Sequence, residues 1–277
     1  MCHTTYHLFF PPFDKAATYT MASVRNVDKI ILINDYLKEF AIKDNIPESK
    51  LLALGSPKID SLINNLNNDE EYPREWKEKL EGKKVYLLET GCTYFINEPY
   101  KKIQELANIL NITNINKNTA IIWRPHPLTK SAIKRYIPSL LDFYNKLTQI
   151  DIKGNNRLYN NVIFDETDNY MNAIKASDVL ISGVSSILGA YLLTDKKIIF
   201  LGKDIPKGSL VPRDNFYYFY NKEESWFNLI EKINKDDTPV LEKRKEIVNK
   251  IYKNIDGTSG EKIYKSVKVC LITESKK

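Results

Sequence analysis

The stretch Ala176–Ser186, which reads ASDVLISGVSS, and the apolar run Ile187–Leu193 after it decide the fold. Within it, Val179–Ser182 is short, apolar and rich in branched side chains, as expected for a strand buried on both faces of a parallel sheet. Gly183 frees the turn that follows, and a serine pair then stands where a helix would begin. The stretch therefore predicts a strand, a tight turn and a helix, which is the repeating unit of an α/β sheet.

The same alternation runs along most of the chain, with short apolar runs that predict strands and longer mixed segments that predict helices. The predicted strands are Lys29–Ile33, Leu51–Leu54, Val85–Leu88, Ala120–Trp123, Val162–Phe164, Val179–Ser182 and Ile198–Leu201. The predicted helices are Tyr36–Asn45, Pro99–Asn111, Lys130–Gln149, Asn169–Ala176, Ile187–Leu193, Glu223–Asn234 and Leu241–Asn254. This order predicts a doubly wound α/β fold.

The alternation is interrupted by an Asn-rich, partly acidic stretch, Asn64–Gly82, that contains Pro73. Such a composition is typical of a linker. We therefore predict two domains: residues 1–75 form a reduced N-terminal α/β part with the linker, and residues 76–277 form a Rossmann-like C-terminal domain. The first part carries only two of the predicted strands, which is too few for a complete domain of that kind.

Composition excludes several classes of protein. The chain has 277 residues, of which 43% are hydrophobic and 27% charged, as in globular proteins. Its net charge is +6, yet no Arg-rich or aromatic-interleaved basic stretch occurs, so no nucleic-acid partner is predicted. The apolar runs are far shorter than the ~20 residues of a membrane span. Scattered cysteines and the lack of an export signal predict a cytoplasmic protein, and the positive charge suits a peripheral contact with the inner face of the cell membrane.

A loop with chemically useful side chains follows the predicted strand Ala120–Trp123. It reads Arg124-Pro125-His126-Pro127, and its prolines hold the histidine on a stiff, extended backbone. Arg124 adds a permanent charge and a planar fork of donors suited to phosphate. Ligands of an α/β sheet bind beyond the carboxyl ends of its strands, so we predict that Arg124 and His126 meet a phosphate-bearing substrate. The alternative is a rigid turn with a surface histidine.

Two further loops occupy equivalent positions. Gly183, Ser185 and Ser186 follow the strand of the opening stretch, and the serines would stand at a helix N-terminus, where free N–H groups attract anions. Thr90 and Gly91 follow the first strand of the larger predicted domain, where either a ligand contact or a plain turn is expected. Neither loop has the pattern of a Walker loop or of the dinucleotide fingerprint. We predict that the Arg124–Pro127 loop and the serine pair converge on one diphosphate.

Five stretches, taken in chain order, resemble patterns of the CDP-glycerol glycerophosphotransferase family, whose GT-B enzymes build teichoic acids and related envelope polymers. They are Gly55–Asp60 (family G-N-P-R-x-D), Arg124–Pro127 (K-x-H-P), Ala176–Ser186 (a-S-D-v-L-I-T-D-Y-S-S), Lys196–Phe200 (k-P-i-i-f) and Asp256–Ser259 (D-G-k-a-s). The resemblance runs from about Asp28 to Val267, which is most of the chain.

The resemblance implies a GT-B-like fold, no catalytic metal, and no cofactor, since the nucleotide-activated donor is itself the substrate. It implies transfer of a polyol phosphate or sugar from a CDP-glycerol-like donor to a hydroxyl of a glycan or polyol-phosphate acceptor, in teichoic acid, capsule or lipopolysaccharide synthesis. Carried over by position, His126 and Arg124 neutralise the diphosphate as the nucleotide leaves, while Ser185 and Ser186 hold it.

The sequence departs from the family pattern at two places. The Asp-Tyr before the serine pair is replaced by Gly183 and Val184. The N-terminal H-G loop, whose histidine is the expected general base, has no clear counterpart; His3 and His7 are the candidates, although neither precedes a glycine. Because their flank is a poor helix, we predict no metal site there.

Three alternatives stay open at this point. A bacterial sialyltransferase that uses a CMP-sugar also carries a serine pair after an H-P loop. A non-hydrolysing UDP-sugar 2-epimerase is a further enzyme alternative, disfavoured because its acidic active-site patterns are absent. A non-catalytic module that binds nucleotide sugars is the alternative from a different class, and the short N-terminal part motivates it.

Overall fold

The computed structural model describes residues 2–5, 25–68, 72–148, 158–202, 211, 213, 218–220, 223–237 and 242–274. The chain divides into two compact units. Unit 1 comprises Met1–Asn68, Asp204–Asn215 and Leu241–Lys277, and unit 2 comprises Asp69–Lys203 and Phe216–Val240. This division differs from the predicted one, which placed all of 76–277 in one domain, because the last helices of the chain pack within unit 1.

The strands are β1 (Cys2–Thr5), β2 (Lys29–Leu32), β3 (Leu51–Ala53), β4 (Lys84–Thr90), β5 (Thr119–Pro125), β6 (Val162–Phe164), β7 (Val179–Ser182), β8 (Lys197–Phe200) and β9 (Tyr218–Phe219). The α-helices are α1 (Asp35–Lys43), α2 (Pro57–Leu66), α3 (Arg74–Leu80), α4 (Pro99–Ile115), α5 (Thr129–Tyr136), α6 (Leu141–Thr148), α7 (Met171–Ala176), α8 (Ser186–Leu192), α9 (Trp226–Asn234), α10 (Glu242–Ile251) and α11 (Ser259–Glu274). Short 3₁₀ turns lie at Glu48–Lys50 and Pro138–Leu140.

The predicted strands all form, as β2 to β8, but two predicted segments differ. The single helix predicted over Lys130–Gln149 is split into α5 and α6 by Pro138, which lacks an N–H and disfavours helical backbone at Ile137. Helices α2 and α3 lie in or next to the predicted linker. The start of α2 has recognisable signals, since Ser56 caps it by accepting a hydrogen bond from the Lys58 N–H and Pro57 occupies its first turn.

Unit 2 contains a parallel sheet with strand order β6-β5-β4-β7-β8-β9. This is the order of a Rossmann-type sheet, in which the chain winds outward in both directions from two central strands. Here those strands are β4 and β7, and they are buried almost throughout. In such sheets a crevice opens beyond the carboxyl ends of the two central strands, and that crevice is where ligands bind.

Unit 1 contains a parallel sheet of strand order β1-β2-β3. The last residue of α10 and the segment after it contact the carboxyl ends of β2 and β3 through three hydrogen bonds. Asn34 Nδ2 donates to the Ile251 carbonyl at 2.8 Å, and the Lys253 N–H donates to the Ile33 carbonyl at 3.0 Å. Asn254 Nδ2 donates to the carbonyl of Leu54 at 3.0 Å. Strands from the start of the chain are thus completed by residues near its end.

The stretches Gly55–Asp60 and Asp256–Gly260 meet in unit 1. The Asp60 carboxylate accepts a hydrogen bond of 2.7 Å from the Gly260 N–H, in the first turn of α11. A negative charge there also complements the positive end of the helix dipole. Gly55 has a positive φ of 86°, and a Cβ at this position would collide with the carbonyl oxygen of Lys253. The contact therefore requires glycine for both space and backbone conformation.

Replacing Gly55 by alanine tests this close approach. We expect Gly55→Ala to lower the free energy of unfolding by about 3 kcal/mol, from left-handed backbone strain and overpacking together. Gly82→Ala is the matched control, because Gly82 also has a positive φ, 68°, but a Cβ added there would meet no atom within 4 Å. It should cost only about 1 kcal/mol. Equal losses in chemical denaturation would contradict the close contact.

Candidate active site

Loops after β4, β5, β6 and β7 line one cavity of about 520 Å³ at the carboxyl edge of the unit 2 sheet. Its walls are Glu89, Gly91, Cys92, Thr93, Arg124, Pro125, His126, Pro127, Asp168, Tyr170, Val184, Ser185, Ser186 and Ile187. The cavity lies at the point where the strand order reverses, and its volume is within the range of small-molecule sites. The predicted H-P loop and serine pair thus face the same space.

His126 is held by two hydrogen bonds. Its backbone N–H donates to the Thr90 carbonyl at 2.8 Å, which ties the loop to the end of β4. Its ring Nδ1 accepts from the Leu128 N–H at 3.1 Å. Because Nδ1 is an acceptor, the neutral ring carries its proton on Nε2. The half-buried imidazole is therefore positioned as a hydrogen-bond donor at the cavity wall.

The serine pair lies on the opposite wall. Ser185 caps α8, since its hydroxyl oxygen accepts from the Leu188 N–H at 3.1 Å. The same oxygen lies 3.0 Å from the Ser182 hydroxyl at the end of β7. Ser186 is exposed and begins α8. Helix α8 has only 7 residues, so what this wall offers a ligand is mainly the hydroxyl groups.

Glu89, near the end of β4, was not predicted as a site residue. It lines the cavity, yet only 5% of its surface is exposed. Its Oε2 accepts a hydrogen bond of 2.6 Å from the Ser182 hydroxyl. Burial raises the pKa of the Glu89 carboxyl, while hydrogen bonds from Ser182 and Ser185 act in the opposite direction. The signal in the sequence is an acidic residue that ends an apolar strand.

Arg124 does not present a free guanidinium to the cavity. It is only 7% exposed, and its Nη1 donates to Asp165 Oδ2 at 2.6 Å. Its Nη2 donates to the Thr167 carbonyl at 2.6 Å. The other carboxylate oxygen of Asp165 accepts from the Thr167 N–H and hydroxyl. Arg124 thus fixes the loop after β6, and its charge is largely compensated by a buried carboxylate.

A second cavity of about 380 Å³ adjoins this loop. It shares Arg124–Pro127 and Asp168 with the larger cavity and adds Lys130, Tyr144, Asp165, Glu166 and Thr167. Asp168 and Glu166 are exposed there. The H-P loop therefore lines both cavities: the serine pair lies in the larger one, Glu166 in the smaller one, and Asp168 in both.

The remaining predicted residues have varied positions. Thr90 is fully buried and accepts a hydrogen bond from the Trp123 indole at 3.2 Å. It therefore links β4 to β5 beneath the cavity and is not exposed to a ligand. Gly91 lines the larger cavity, and Gly183 lies half-buried in the turn after β7. His3 belongs to β1 of unit 1, and His7 lies outside the described residues.

Within the described ranges, no group of three or more His, Cys, Asp or Glu side chains is arranged to hold a metal ion. In the same ranges, no helix has the length and apolar character that crossing a membrane requires.

Comparison with solved structures places this fold among GT-B-type enzymes. The chain is similar to a putative UDP-N-acetylglucosamine 2-epimerase from Listeria monocytogenes, with 13% identity, a TM-score of 0.61, and coverage of 98% of this chain and 68% of that chain. It is also similar to S. aureus MnaA, solved with UDP, with 14% identity, a TM-score of 0.59, and coverage of 98% of this chain and 67% of that chain. Similarity to the wall teichoic acid polymerase TagF gives 21% identity, a TM-score of 0.54, and coverage of 88% of this chain and 59% of that chain. The predicted α/β, GT-B-like fold is confirmed.

The family model of CDP-glycerol:poly(glycerophosphate) glycerophosphotransferase matches residues 13–269. Because this match spans most of the chain, the chain belongs to that family, as the sequence motifs predicted. It spans less than two thirds of the TagF chain. No curated protein matches the sequence.

The Arg124–Asp165 pair can be tested by removing one partner. We expect Arg124→Ala to lower the free energy of unfolding by about 3–5 kcal/mol, because it leaves a buried carboxylate without its cation. Lys130→Ala is the control, since Lys130 is an exposed cation on the neighbouring helix, and it should be nearly neutral. If urea denaturation showed equal stability for both variants, the structural role of Arg124 would be refuted.

Glu89 predicts a pH dependence of stability. Since the folded state holds the Glu89 proton to higher pH than the unfolded chain does, both states are protonated well below the ordinary glutamate pKa. As pH rises above that value, the unfolded chain ionises first, so stability from this group is lost. Glu89→Gln should lack this loss. Its free energy of unfolding, measured by urea denaturation, should therefore rise relative to that of the wild type as pH increases. A constant difference at every pH would contradict the raised pKa.

Proposed function

We propose that this protein transfers a polyol phosphate or sugar from a CDP-glycerol-like donor to a hydroxyl of a teichoic-acid-like or other envelope polymer. The observation that carries the proposal is the cavity beyond β4 and β7, on which the H-P loop and the serine pair converge. Membership of the glycerophosphotransferase family supports the same class of reaction.

The cavity walls suit the diphosphate of such a donor, from which CMP leaves when the polyol phosphate is transferred. When the bond to the transferred group breaks, negative charge develops on the nucleotide phosphate. His126 donates a hydrogen bond from Nε2 to this charge, and the hydroxyls of Ser185 and Ser186 donate from the other wall. Arg124 acts through its pairing with Asp165, by keeping the shape of the H-P loop. His3 and His7 stay predictions for the base that takes the proton of the acceptor.

Ligands recorded for the similar structures support a nucleotide diphosphate. MnaA was solved with UDP, and a TagF variant was soaked with CDPG. We also propose that the protein acts at the inner face of the cell membrane, where envelope polymers are made. The net charge of +6 would favour contact with an anionic inner membrane surface.

Calorimetric titration with CDP-glycerol tests donor binding. We expect His126→Asn to weaken binding by about 10- to 100-fold, because its amide oxygen can replace Nδ1 as the acceptor for Leu128 while the Nε2 donor is lost. Lys134→Ala, an exposed change on α5, is the control and should bind like the wild type. Equal affinity of His126→Asn and wild type would contradict the assigned role.

Parallel titrations with CMP-sialic acid and UDP-N-acetylglucosamine compare the alternative donors. Release of CMP from CDP-glycerol on addition of a polyol-phosphate acceptor would support transfer. Tight binding without release under any acceptor would instead identify a binding module, and preference for CMP-sialic acid would identify a sialyltransferase.

A further inference from the structure

Glu89 is an acidic side chain in a place that should repel the proposed ligand. It lines the same cavity as the serine pair, and only 5% of its surface is exposed. A buried carboxylate costs free energy when ionised unless a cation or several donors compensate it. The hydrogen bonds described for its carboxyl group come from the hydroxyls of Ser182 and Ser185, which are neutral donors.

The hydroxyls of Ser182 and Ser185 form a short chain that leads from Glu89 toward the ligand space. Ser182 Oγ lies 2.6 Å from Glu89 Oε2 and 3.0 Å from Ser185 Oγ. Each hydroxyl has one proton to donate. When Glu89 is ionised, its carboxylate accepts the Ser182 proton, and Ser185 can donate to Ser182 in turn. When Glu89 is protonated, its own O–H can donate to Ser182, and the Ser185 proton is available to an anion in the cavity.

The charged and titratable groups around Glu89 do not neutralise it. On β5, its register partner Arg124 is paired with Asp165. The other cavity walls carry His126, Asp168, Cys92 and Tyr170. Helix α7 packs on β4 and carries Lys175, and Asp178 accepts from the Val85 N–H; both lie at the opposite, amino-terminal edge of the sheet.

We propose that Glu89 is a positioning residue that must be protonated for the Ser182–Ser185 pair to receive a phosphodiester, so that donor binding takes up one proton from solvent. The inference rests on the proposed function, since the phosphodiester is that of the nucleotide-activated donor. The phosphodiester anion and an ionised Glu89 would lie in the same low-dielectric space, so ionisation of Glu89 weakens binding of the anion, and the bound anion disfavours ionisation of Glu89. By linkage, the anion must then favour the protonated form of Glu89 by the same factor.

The test uses CDP-glycerol, because its diphosphate is fully esterified and has no proton to lose near neutral pH. Its affinity for the wild type and for Glu89→Gln is measured by calorimetry between about pH 5.5 and pH 8.5, in buffers of different ionisation enthalpy. The amide imitates a protonated carboxyl. Glu75→Gln is the matched control, because it removes the same charge from an exposed position on α3.

We expect wild-type affinity to fall by about tenfold or more as pH rises, with proton uptake in the calorimetric signal. Glu89→Gln should lose most of this decline and bind more tightly than the wild type at high pH. Glu75→Gln should follow the wild type. All three proteins share every other cavity residue, so the difference between them isolates Glu89.

Two results would overturn the inference while leaving donor binding intact. One is binding with the same pH slope in wild type and Glu89→Gln. The other, which needs no variant to fold, is wild-type binding without proton uptake at any pH. Failure of CDP-glycerol to bind either protein at any pH would overturn the proposed function and the inference together.

Discussion

The reversal of strand order between β4 and β7 is the constraint on which the site depends. Connections on the two sides of this pair run in opposite directions, so the loops beyond their carboxyl ends diverge and leave a crevice. The H-P loop enters from the β5 side and the serine pair from β7. Neither loop needs an unusual conformation to reach the ligand space, because the topology of the sheet already brings the two together.

The same edge of the sheet shows how charge is distributed around a site meant for an anion. The strongest cation, Arg124, is used to hold Asp165 and the loop after β6, and it contributes little free positive charge. The cavity therefore has hydroxyl and imidazole donors on its walls, beside the carboxyl groups of Glu89 and Asp168. Serine hydroxyls in a partly closed space can stabilise a developing charge without first breaking an ion pair.

Much of the fold could be predicted from the sequence, because strands buried on both faces appear as continuous apolar runs. Helices α2 and α3 were missed because their segment is rich in Asn and charge, so the local composition outweighed the capping signal at Ser56. The H-P loop and the serine pair were found because proline, glycine and serine have local effects. The partner of Arg124 could not be found, since Asp165 is 41 residues away and only the pairing of β5 with β6 brings it close. Glu89 illustrates the same limit, because its burial and its contact with Ser182 depend on a strand that lies 93 residues further along the chain.

The return of the chain to unit 1 has a consequence for biosynthesis. Strands β2 and β3 leave the ribosome long before Lys253 and Asn254, which donate hydrogen bonds to the carbonyls just beyond the strand ends. All of unit 2 is translated in between. Until those residues are made, the carbonyl groups beyond the ends of β2 and β3 lack these donors, so unit 2 has the opportunity to fold before unit 1 is complete.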